Sequence, residues 1–333
     1  MGECRSEQQP FLLTVSLTHP HDPFACTEPC GSLYDRIDIP PPTAPYADYP
    51  HPESMRRQYC VDGIDFTEAE TCNARRGYYG AISYVDAKIA QILEALERSG
   101  DADNTIVLLT SDHGEMQGEH GLWMKKVFFE NAIKIPMLAW VPSRFGPRRL
   151  SGFVSLIDLL PTMLVLSGTG METVETVETV DGADLTDAIM GTAPLSEHPL
   201  LAELTCEGSG LVLMLRRGNL KYIWSAQDPA MLFDLASDPD ECVNISGAPG
   251  MADAEAGLRQ ELLSIWNPDA ITAAVRRSQK RRKLVQEAHH ATSTAPDWEF
   301  RESDTPDDRW MRGQTGYGTW AYGSITRLKP ASD

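Results

Sequence analysis

The sequence has few basic residues and no long hydrophobic run, and these two shortages exclude several classes of protein. Of its 333 residues, 29 are Lys or Arg and 48 are Asp or Glu, which gives a net charge of −19. Such an acidic chain repels the phosphates of nucleic acid and of an anionic membrane surface, so neither is expected as a partner. No run approaches the roughly 20 apolar residues of a membrane-spanning helix. The G-x-G-x-x-G, Walker and G-x-S-x-G motifs are also missing, which argues against a dinucleotide or nucleotide enzyme.

The amino-terminal residues and the cysteines both indicate a cytoplasmic protein. The opening MGECRSEQQPFLLTVSL does not follow the basic, apolar and small-residue order of a signal region, so export is not expected. Seven cysteines stand at irregular spacing. Cys26 and Cys30 have no second pair at zinc-finger spacing, so free thiols are the preferred interpretation.

Alternating strand and helix patterns predict an α/β fold. Short apolar runs at Phe11–Leu17, Thr105–Thr110 and Ile133–Val141 are expected to be strands. Helical spacing of apolar residues predicts helices over 74–99, closed by a glycine cap, and over 156–167. This order predicts a mostly parallel sheet sandwiched by helices, with functional loops at the carboxyl ends of the strands.

The pattern of predicted strands and helices changes near residue 196, and the chain is expected to have three parts. Residues 1–195 are expected to form part of an α/β domain. Residues 196–265 are expected to form a small α+β subdomain, because Leu211–Trp224 reads as a hairpin with its turn near residues 217–219. Residues 266–333 are expected to be helical and then irregular. The basic cluster Arg276–Lys283 is interpreted as a solvated helix face.

Candidate catalytic groups follow two of the predicted strands. Asp112 and His113 come directly after the strand ending at Thr110, and adjacent carboxylate and imidazole groups can reach one cation. On local evidence alone, Asp112 as a turn cap beside an exposed His113 is the preferred interpretation. His21 follows the first strand and could protonate a leaving oxygen, unless it is only a surface histidine. Lys125 could pair with an anionic oxygen, although an isolated lysine usually faces solvent.

Several stretches together resemble the sulfatase branch of the alkaline-phosphatase superfamily, and within it the choline-sulfatases. They include FLLTVSLTHPHDPF, ARRGYYGAISYVDAKI, LLTSDHGEMQGEHGLWMKKVFFE and LFDLASDPDECVNI, in that order along the chain. The resemblance implies an alkaline-phosphatase-like fold and hydrolysis of a sulfate ester such as choline sulfate. A homo-oligomer is compatible with it.

The resemblance also implies a role for each candidate residue. Asp112 and His113 match metal ligands, for calcium first and for magnesium or manganese as alternatives. His21 matches the residue that assists departure of the alcohol, and Lys125 matches a lysine that contacts the sulfate. Glu207 falls where choline-sulfatases carry acidic residues near the substrate, and is expected to contact the quaternary ammonium.

Two sulfatase features are missing from the sequence. These are the paired aspartates after the first strand and the C-x-P-x-R or S-x-P-x-R signature, whose Cys or Ser becomes the formylglycine nucleophile. The expectation is therefore a chain that lacks the amino-terminal part of the family's domain and has little activity alone. A phosphonate or phosphate monoester hydrolase of the same superfamily, and an inactive fragment acting as an interaction subunit, are the alternatives.

Overall fold

The computed structural model describes residues 10–46, 66–141, 143–169, 180–206 and 210–292, which form a mixed α/β protein. The helices in these ranges are α1 (Glu68–Ser99), α2 (Glu130–Ile133), α3 (Leu159–Ser167), α4 (Thr186–Met190), α5 (Ala252–Ile265) and α6 (Pro268–Thr292). The strands are β1 (Val107–Thr110), β2 (Met137–Trp140), β3 (Leu200–Cys206), β4 (Gly210–Arg217), β5 (Leu220–Ser225) and β6 (Met231–Asp234). No helix in the described ranges is long and apolar enough to cross a membrane.

The chain divides into two compact units, and the first consists of Met1–Pro41 with Phe66–Ala102. Its main element is α1, which begins with a capping box between Thr67 and Glu70 and ends at Gly100 in the left-handed conformation. The predicted helix and its glycine cap are thus confirmed. A Cβ at Gly77 would lie 2.2 Å from the Phe24 carbonyl oxygen, so glycine lets the preceding loop approach the helix closely.

The second unit contains both sheets, and its first sheet pairs β1 with β2. This pairing is antiparallel, with Val107 opposite Trp140. The mixed α/β class is as predicted, but the described strands do not show the expected parallel order. The reason lies in the connection, because the segment between β1 and β2 contains short helical turns instead of a long crossover helix, and the chain simply returns.

The predicted strand at Phe11–Leu17 does not form, which corrects the first strand assignment. A run of apolar residues becomes a strand only when a neighbour accepts its backbone hydrogen bonds. Within the described ranges, no strand pairs with this segment.

The second sheet is a four-stranded antiparallel meander in the order β3-β4-β5-β6. The predicted hairpin is confirmed, with Arg217 paired to Leu220 at its end and Gly218 in the left-handed conformation. One face of this sheet packs on α5 around Leu213, Leu232 and Leu262. The division of the chain at residues 195/196 and 265/266 stays a prediction.

The other face of the meander packs on the segment between β1 and β2. Met116, Phe129 and Ala132 from that segment share a core with Val212 and Phe233 of the sheet. The loop that carries the candidate metal and anion ligands therefore rests on a four-stranded sheet from much later in the chain.

Candidate active site

Asp112 and His113 present two donor atoms in one place, directly beyond β1. Asp112 Oδ2 lies 3.6 Å from His113 Nε2. The His113 Nδ1 lies 2.7 Å from the Gly114 carbonyl oxygen, which can only accept, so Nδ1 carries the proton. In the neutral ring with this tautomer, Nε2 keeps its lone pair, as a metal ligand requires. The Ser111 hydroxyl donates to the His113 carbonyl at 2.8 Å and fixes the turn.

Gly114 attaches this pair to α2. Its N–H donates to the Ala132 carbonyl at 2.7 Å, and the Glu115 N–H donates to the Asn131 carbonyl at 2.9 Å. A Cβ at Gly114 would lie 2.0 Å from the Asn131 oxygen, a distance that no real side chain tolerates. The position after the candidate ligands is therefore restricted to glycine by close backbone contact.

Substitution Gly114→Ala is expected to lower the free energy of unfolding by about 1–3 kcal/mol, because the added methyl group forces the loop away from α2. Thermal denaturation followed by circular dichroism measures the effect. Gly257→Ala is the matched control, since Gly257 lies within α5 with nothing within 4 Å of its Cβ position. That control is expected to gain about 0.5–1 kcal/mol from helix propensity. Equal effects of the two substitutions would contradict the close-contact argument.

Lys125 lies on the same loop, where the backbone is held from both sides. The Glu115 carboxylate accepts the Met124 N–H, and the Met116 N–H donates to the Met124 carbonyl at 2.9 Å. Met124 and Lys126 both adopt positive φ, at 68° and 75°. Two non-glycine residues in this conformation around Lys125 indicate a backbone set by its surroundings.

Glu119 and His120 anchor the middle of the loop. The buried Glu119 carboxylate accepts the backbone N–H groups of Thr43 and Ala44, each at 2.8 Å. The His120 ring is buried and stacks on Phe129 with 4.0 Å between centroids. Burial lowers the pKa of His120, although neighbouring acidic groups oppose the shift, so its ring is neutral at pH 7. His120 therefore packs as an aromatic side chain.

A buried ion cluster joins the end of the loop to the meander. Lys221 Nζ donates to the Phe128 carbonyl at 2.8 Å and contacts carboxylate oxygens of Glu130 at 2.8 Å and Glu241 at 2.6 Å. Arg216 contacts the other Glu130 oxygen at 3.0 Å. Lys221 is fully buried, and its ammonium group makes two hydrogen bonds and a further ion pair inside the protein.

Two basic and two acidic side chains meet in this cluster. Burial opposes ionisation of Glu130, but Lys221 and Arg216 outweigh it and lower the Glu130 pKa. For Glu241, burial prevails over Lys221 and raises the pKa. The Glu130 backbone N–H also donates to Glu241 at 2.5 Å. Four charged groups thus fix the start of α2, which in turn holds the backbone at Gly114.

His21 lies in the first unit, and its ring is oriented by the next residue. His21 Nδ1 lies 3.0 Å from the Asp22 carbonyl oxygen and 2.9 Å from an Asp22 carboxylate oxygen. Both partners only accept, so the hydrogen bond requires a proton on Nδ1. Its placement relative to the other candidates is not defined by these contacts. Glu207 lies outside the described residues.

Sequence reasoning missed the groups that support the loop, which are Glu115, Glu119, His120, Lys221 and Glu241. A lysine inside the apolar strand NLKYIW was a visible signal, because a lysine is almost never buried without a partner. Its partners could not be found from the sequence, since they lie 91 residues before it and in a separate turn after it.

Comparison with known proteins identifies the family. A family model described as Sulfatase matches residues 3–169, which is half of the chain. The chain belongs to the sulfatase family. The choline-sulfatase of Rhizobium meliloti is 34% identical over 320 residues, covering 94% of this chain and 61% of that protein. Arylsulfatase K of Bos taurus is 31% identical, covering 84% of this chain and 55% of that protein.

A solved structure supports the same assignment of fold. The phosphonate monoester hydrolase of Agrobacterium radiobacter matches with a TM-score of 0.64 and 25% identity, over 76% of this chain and 55% of that one. The predicted sulfatase resemblance and alkaline-phosphatase-like class are confirmed. This sulfatase chain spans only somewhat more than half the length of the relatives that it matches.

The donors of this sulfatase chain fit part of a metal site. Asp112 Oδ2 and His113 Nε2 are close enough to bind one cation, and their chemistry suits a divalent ion. Calcium prefers about 6–8 oxygen ligands. Within the described residues, no group of three or more His, Cys, Asp or Glu side chains could hold a metal. Within these ranges, Asp112 and His113 are therefore a pair of candidate ligands and not a complete site.

Proposed function

We propose that this chain is part of a sulfuric-ester hydrolase that converts choline sulfate and water to choline and sulfate. The observation that carries the proposal is the placement of Asp112 and His113, with donor atoms 3.6 Å apart, on the loop that also holds Lys125. A cation ligand pair and a lysine on one rigid loop suit an ester with a charged, oxygen-rich group. The likeness to a choline-sulfatase supports choline as the alcohol.

Each residue takes a distinct part in this proposal. Asp112 and His113 would hold a divalent cation, calcium first, which supplies charge neutralisation at the sulfate oxygens. Lys125 contacts a further sulfate oxygen as a point charge. His21 delivers a proton from Nε2 to the alcohol oxygen as the ester bond breaks, while Asp22 holds its ring. Glu207 contacts the quaternary ammonium. A cytoplasmic homo-oligomer remains part of the proposal.

The nucleophile does not fit any residue of this chain. Cys26 precedes TEPCG, Cys60 precedes VDGID and Cys206 precedes EGSG, so none stands in a C-x-P-x-R signature. We therefore derive no step through formylglycine from these residues. The proposal places the nucleophile in the part of the relatives' sequence that this chain does not span.

A second candidate is a phosphonate monoester hydrolase. It is favoured by the likeness to the Agrobacterium radiobacter structure, whose name states that activity. Phosphonate and sulfate monoesters both present an anionic oxygen group to the same kinds of ligand, so the loop suits either. A catalytically inactive subunit is the remaining alternative.

The deciding experiment compares substrates in a preparation that contains this chain together with the segment of a choline-sulfatase that it does not span. Choline sulfate and p-nitrophenyl phenylphosphonate are supplied at equal concentrations with calcium, and product release is followed. Faster release of sulfate supports the proposal. Faster cleavage of the phosphonate favours the second candidate, and no turnover of either substrate favours the inactive subunit.

Asp112→Asn is expected to weaken binding of Ca²⁺ or Tb³⁺ by at least about 10-fold, because it removes the charge of one of the two ligands. Terbium luminescence and calorimetry with Ca²⁺ on the full chain measure this. Asp86→Asn is the matched control, since Asp86 is exposed on α1. If both variants bind the ions as the unsubstituted chain does, Asp112 is not a ligand.

A further inference from the structure

Cys26 and Cys30 lie at the two ends of one exposed turn in the first unit. Both cysteines are free and half-buried, and the three residues between them are exposed. The turn closes on itself, because the Gly31 N–H donates to the Thr27 carbonyl at 3.1 Å. The Cys26 carbonyl oxygen also lies only 3.1 Å from the position that a Cβ of Gly31 would take. The chain therefore folds back on itself between the two cysteines.

This backbone suits a disulfide between the two cysteines. Residues four apart in a turn closed by such a hydrogen bond have Cα atoms about 6 Å apart. A disulfide requires Cα atoms about 4.4–6.8 Å apart. Because Cys26 and Cys30 are four residues apart, a turn of this kind holds their Cα atoms within that range.

The helix α1 holds this turn from one side. A Cβ at Gly80 of α1 would lie 2.7 Å from the Cys30 carbonyl oxygen and 3.2 Å from Cys26 Sγ. One point on α1 thus meets the backbone of one cysteine and the sulfur of the other, and glycine leaves the room for both. Just beyond the turn, the Arg76 side chain donates to the Tyr34 carbonyl at 3.0 Å. The helix therefore positions both cysteines before any bond forms between them.

The two thiols differ in reactivity. Burial raises the pKa of Cys26, and the neighbouring Cys30 and Glu28 raise it further. Cys26 is therefore almost entirely protonated at pH 7, and a protonated thiol is a weak nucleophile. A reaction of this pair should accordingly begin at Cys30, with Cys26 as the thiol that completes it.

From the closed turn and its contact with α1 we infer that Cys26 and Cys30 form a reversible disulfide when the chain meets hydrogen peroxide. An uncharged oxidant suits this chain, because its net charge of −19 repels anionic oxidants such as glutathione disulfide. The inference does not depend on the proposed function, since it concerns the thiols of this chain alone.

The reaction proceeds in two steps. The Cys30 thiolate attacks one oxygen of the peroxide, the O–O bond breaks, and Cys30 becomes a sulfenic acid. The departing hydroxide takes up the proton that Cys30 had released and becomes water. The Cys26 sulfur then attacks the Cys30 sulfur, the S–O bond breaks, and the Cys26 proton leaves with the hydroxyl group as a second water. Two thiols are thus oxidised to one disulfide while one peroxide is reduced to two waters.

The disulfide would restrain the loop that carries His21. Ala25 directly precedes Cys26, and its carbonyl accepts a hydrogen bond from His19 Nε2 at 3.1 Å. The Ala25 N–H donates to the Pro23 carbonyl at 2.7 Å. Both contacts connect this loop to the residue next to the disulfide, so oxidation should make the loop open less often.

The test treats the full chain with rising concentrations of hydrogen peroxide until at least one cysteine is oxidised. Remaining thiols are blocked with iodoacetamide, and the peptides are analysed by mass spectrometry. The expected result is a peptide containing residues 26–30 that is lighter by two hydrogens, carries no blocked thiol and recovers both thiols in dithiothreitol. A pair that stays reduced while another cysteine is oxidised overturns the inference, as does a disulfide that joins Cys26 or Cys30 to a different cysteine.

Hydrogen exchange measures the effect on the loop. The amide hydrogens of His21 and Asp22 are expected to exchange at least about threefold more slowly in the oxidised chain than in the reduced chain. Unchanged exchange in a chain that carries the disulfide overturns the predicted restraint.

Single serine variants separate the two steps. Cys26→Ser removes the second sulfur, so a sulfenic acid should accumulate at Cys30 and be trapped by dimedone. Cys30→Ser should give at least about tenfold less dimedone adduct at Cys26, because that thiol stays protonated. Cys72→Ser is the matched control, since Cys72 lies in the same unit with its Sγ 3.5 Å from the Ile39 carbonyl oxygen, and this variant should still form the disulfide. Equal labelling of the first two variants overturns the order of the steps, and loss of the disulfide in the Cys72 variant overturns the pairing.

Discussion

Replacing Lys221 with Met is expected to lower the free energy of unfolding by about 3–5 kcal/mol. The side chain is fully buried, and its ammonium group contacts carboxylates of Glu130 and Glu241 together with the Phe128 carbonyl. Methionine fills nearly the same volume, so the loss arises from charge and not from a cavity. Two buried carboxylates lose their shared cation, and Glu130 alone retains Arg216.

Urea denaturation followed by tryptophan fluorescence measures this loss. Lys283→Met is the matched control, because Lys283 is exposed on α6 and its contact with Glu287 is 3.9 Å long, which is worth less than about 0.5 kcal/mol. The double variant Lys221→Met with Glu241→Gln should recover part of the loss, since it also removes one uncompensated carboxylate. A Lys221→Met variant as stable as the control would show that the cluster contributes nothing to folding.

The cluster has a consequence for the candidate active site. Glu130 is the first residue of α2, and α2 receives the hydrogen bonds of Gly114 and Glu115, which directly follow the candidate metal ligands. The backbone of Asp240, next to Glu241 in the turn after β6, is among the groups that oppose the lowering of the His120 pKa by burial. The loop is therefore held at several points by the meander. Binding groups gain from such rigid support because a displacement of about 1 Å is costly in catalysis.

Much of the fold was predictable because its patterns are local. The spacing of apolar residues and a closing glycine predict the helix that ends before Gly100. Two apolar runs on either side of a turn predict the hairpin near Gly218. The strand before Asp112 and the position of His113 beyond it also followed from sequence. These features depend on residues a few positions apart, which is the range over which propensity and periodicity act.

Other features depend on residues far apart, and the sequence did not reveal them. The apolar residues of Phe11–Leu17 predict a strand. A strand also requires a neighbour that accepts its backbone hydrogen bonds, and composition does not show whether one is present. The antiparallel return of β2 depends on the path of the intervening loop. Lys221 and its partners meet only after folding, so neither spacing nor hydropathy connects them. Asp112, His113 and Lys125 share one short segment, so the sequence alone groups them as candidates, and their roles stay a prediction.

Lys125→Ala is expected to lower kcat for choline sulfate by about 10²–10³-fold in a preparation that contains this chain together with the segment of a choline-sulfatase that it does not span. Lys125 is placed between two residues of positive φ, and the Glu115 carboxylate holds the preceding backbone N–H. In the proposed function, this backbone positions the ammonium group against an anionic oxygen of the ester. Charge on the sulfate oxygens must be neutralised as the S–O bond breaks, so the loss should fall mainly on kcat and less on KM.

Lys134→Ala is the matched control, because Lys134 is an exposed lysine that directly follows α2. It removes the same charge from the same region and should leave both kcat and KM close to their original values. If the two substitutions lower kcat equally, the net positive charge of the region matters and the position of Lys125 does not. If Lys125→Ala raises KM alone, the lysine binds the ester without favouring the transition state, and the stabilising charge must come from the metal ion.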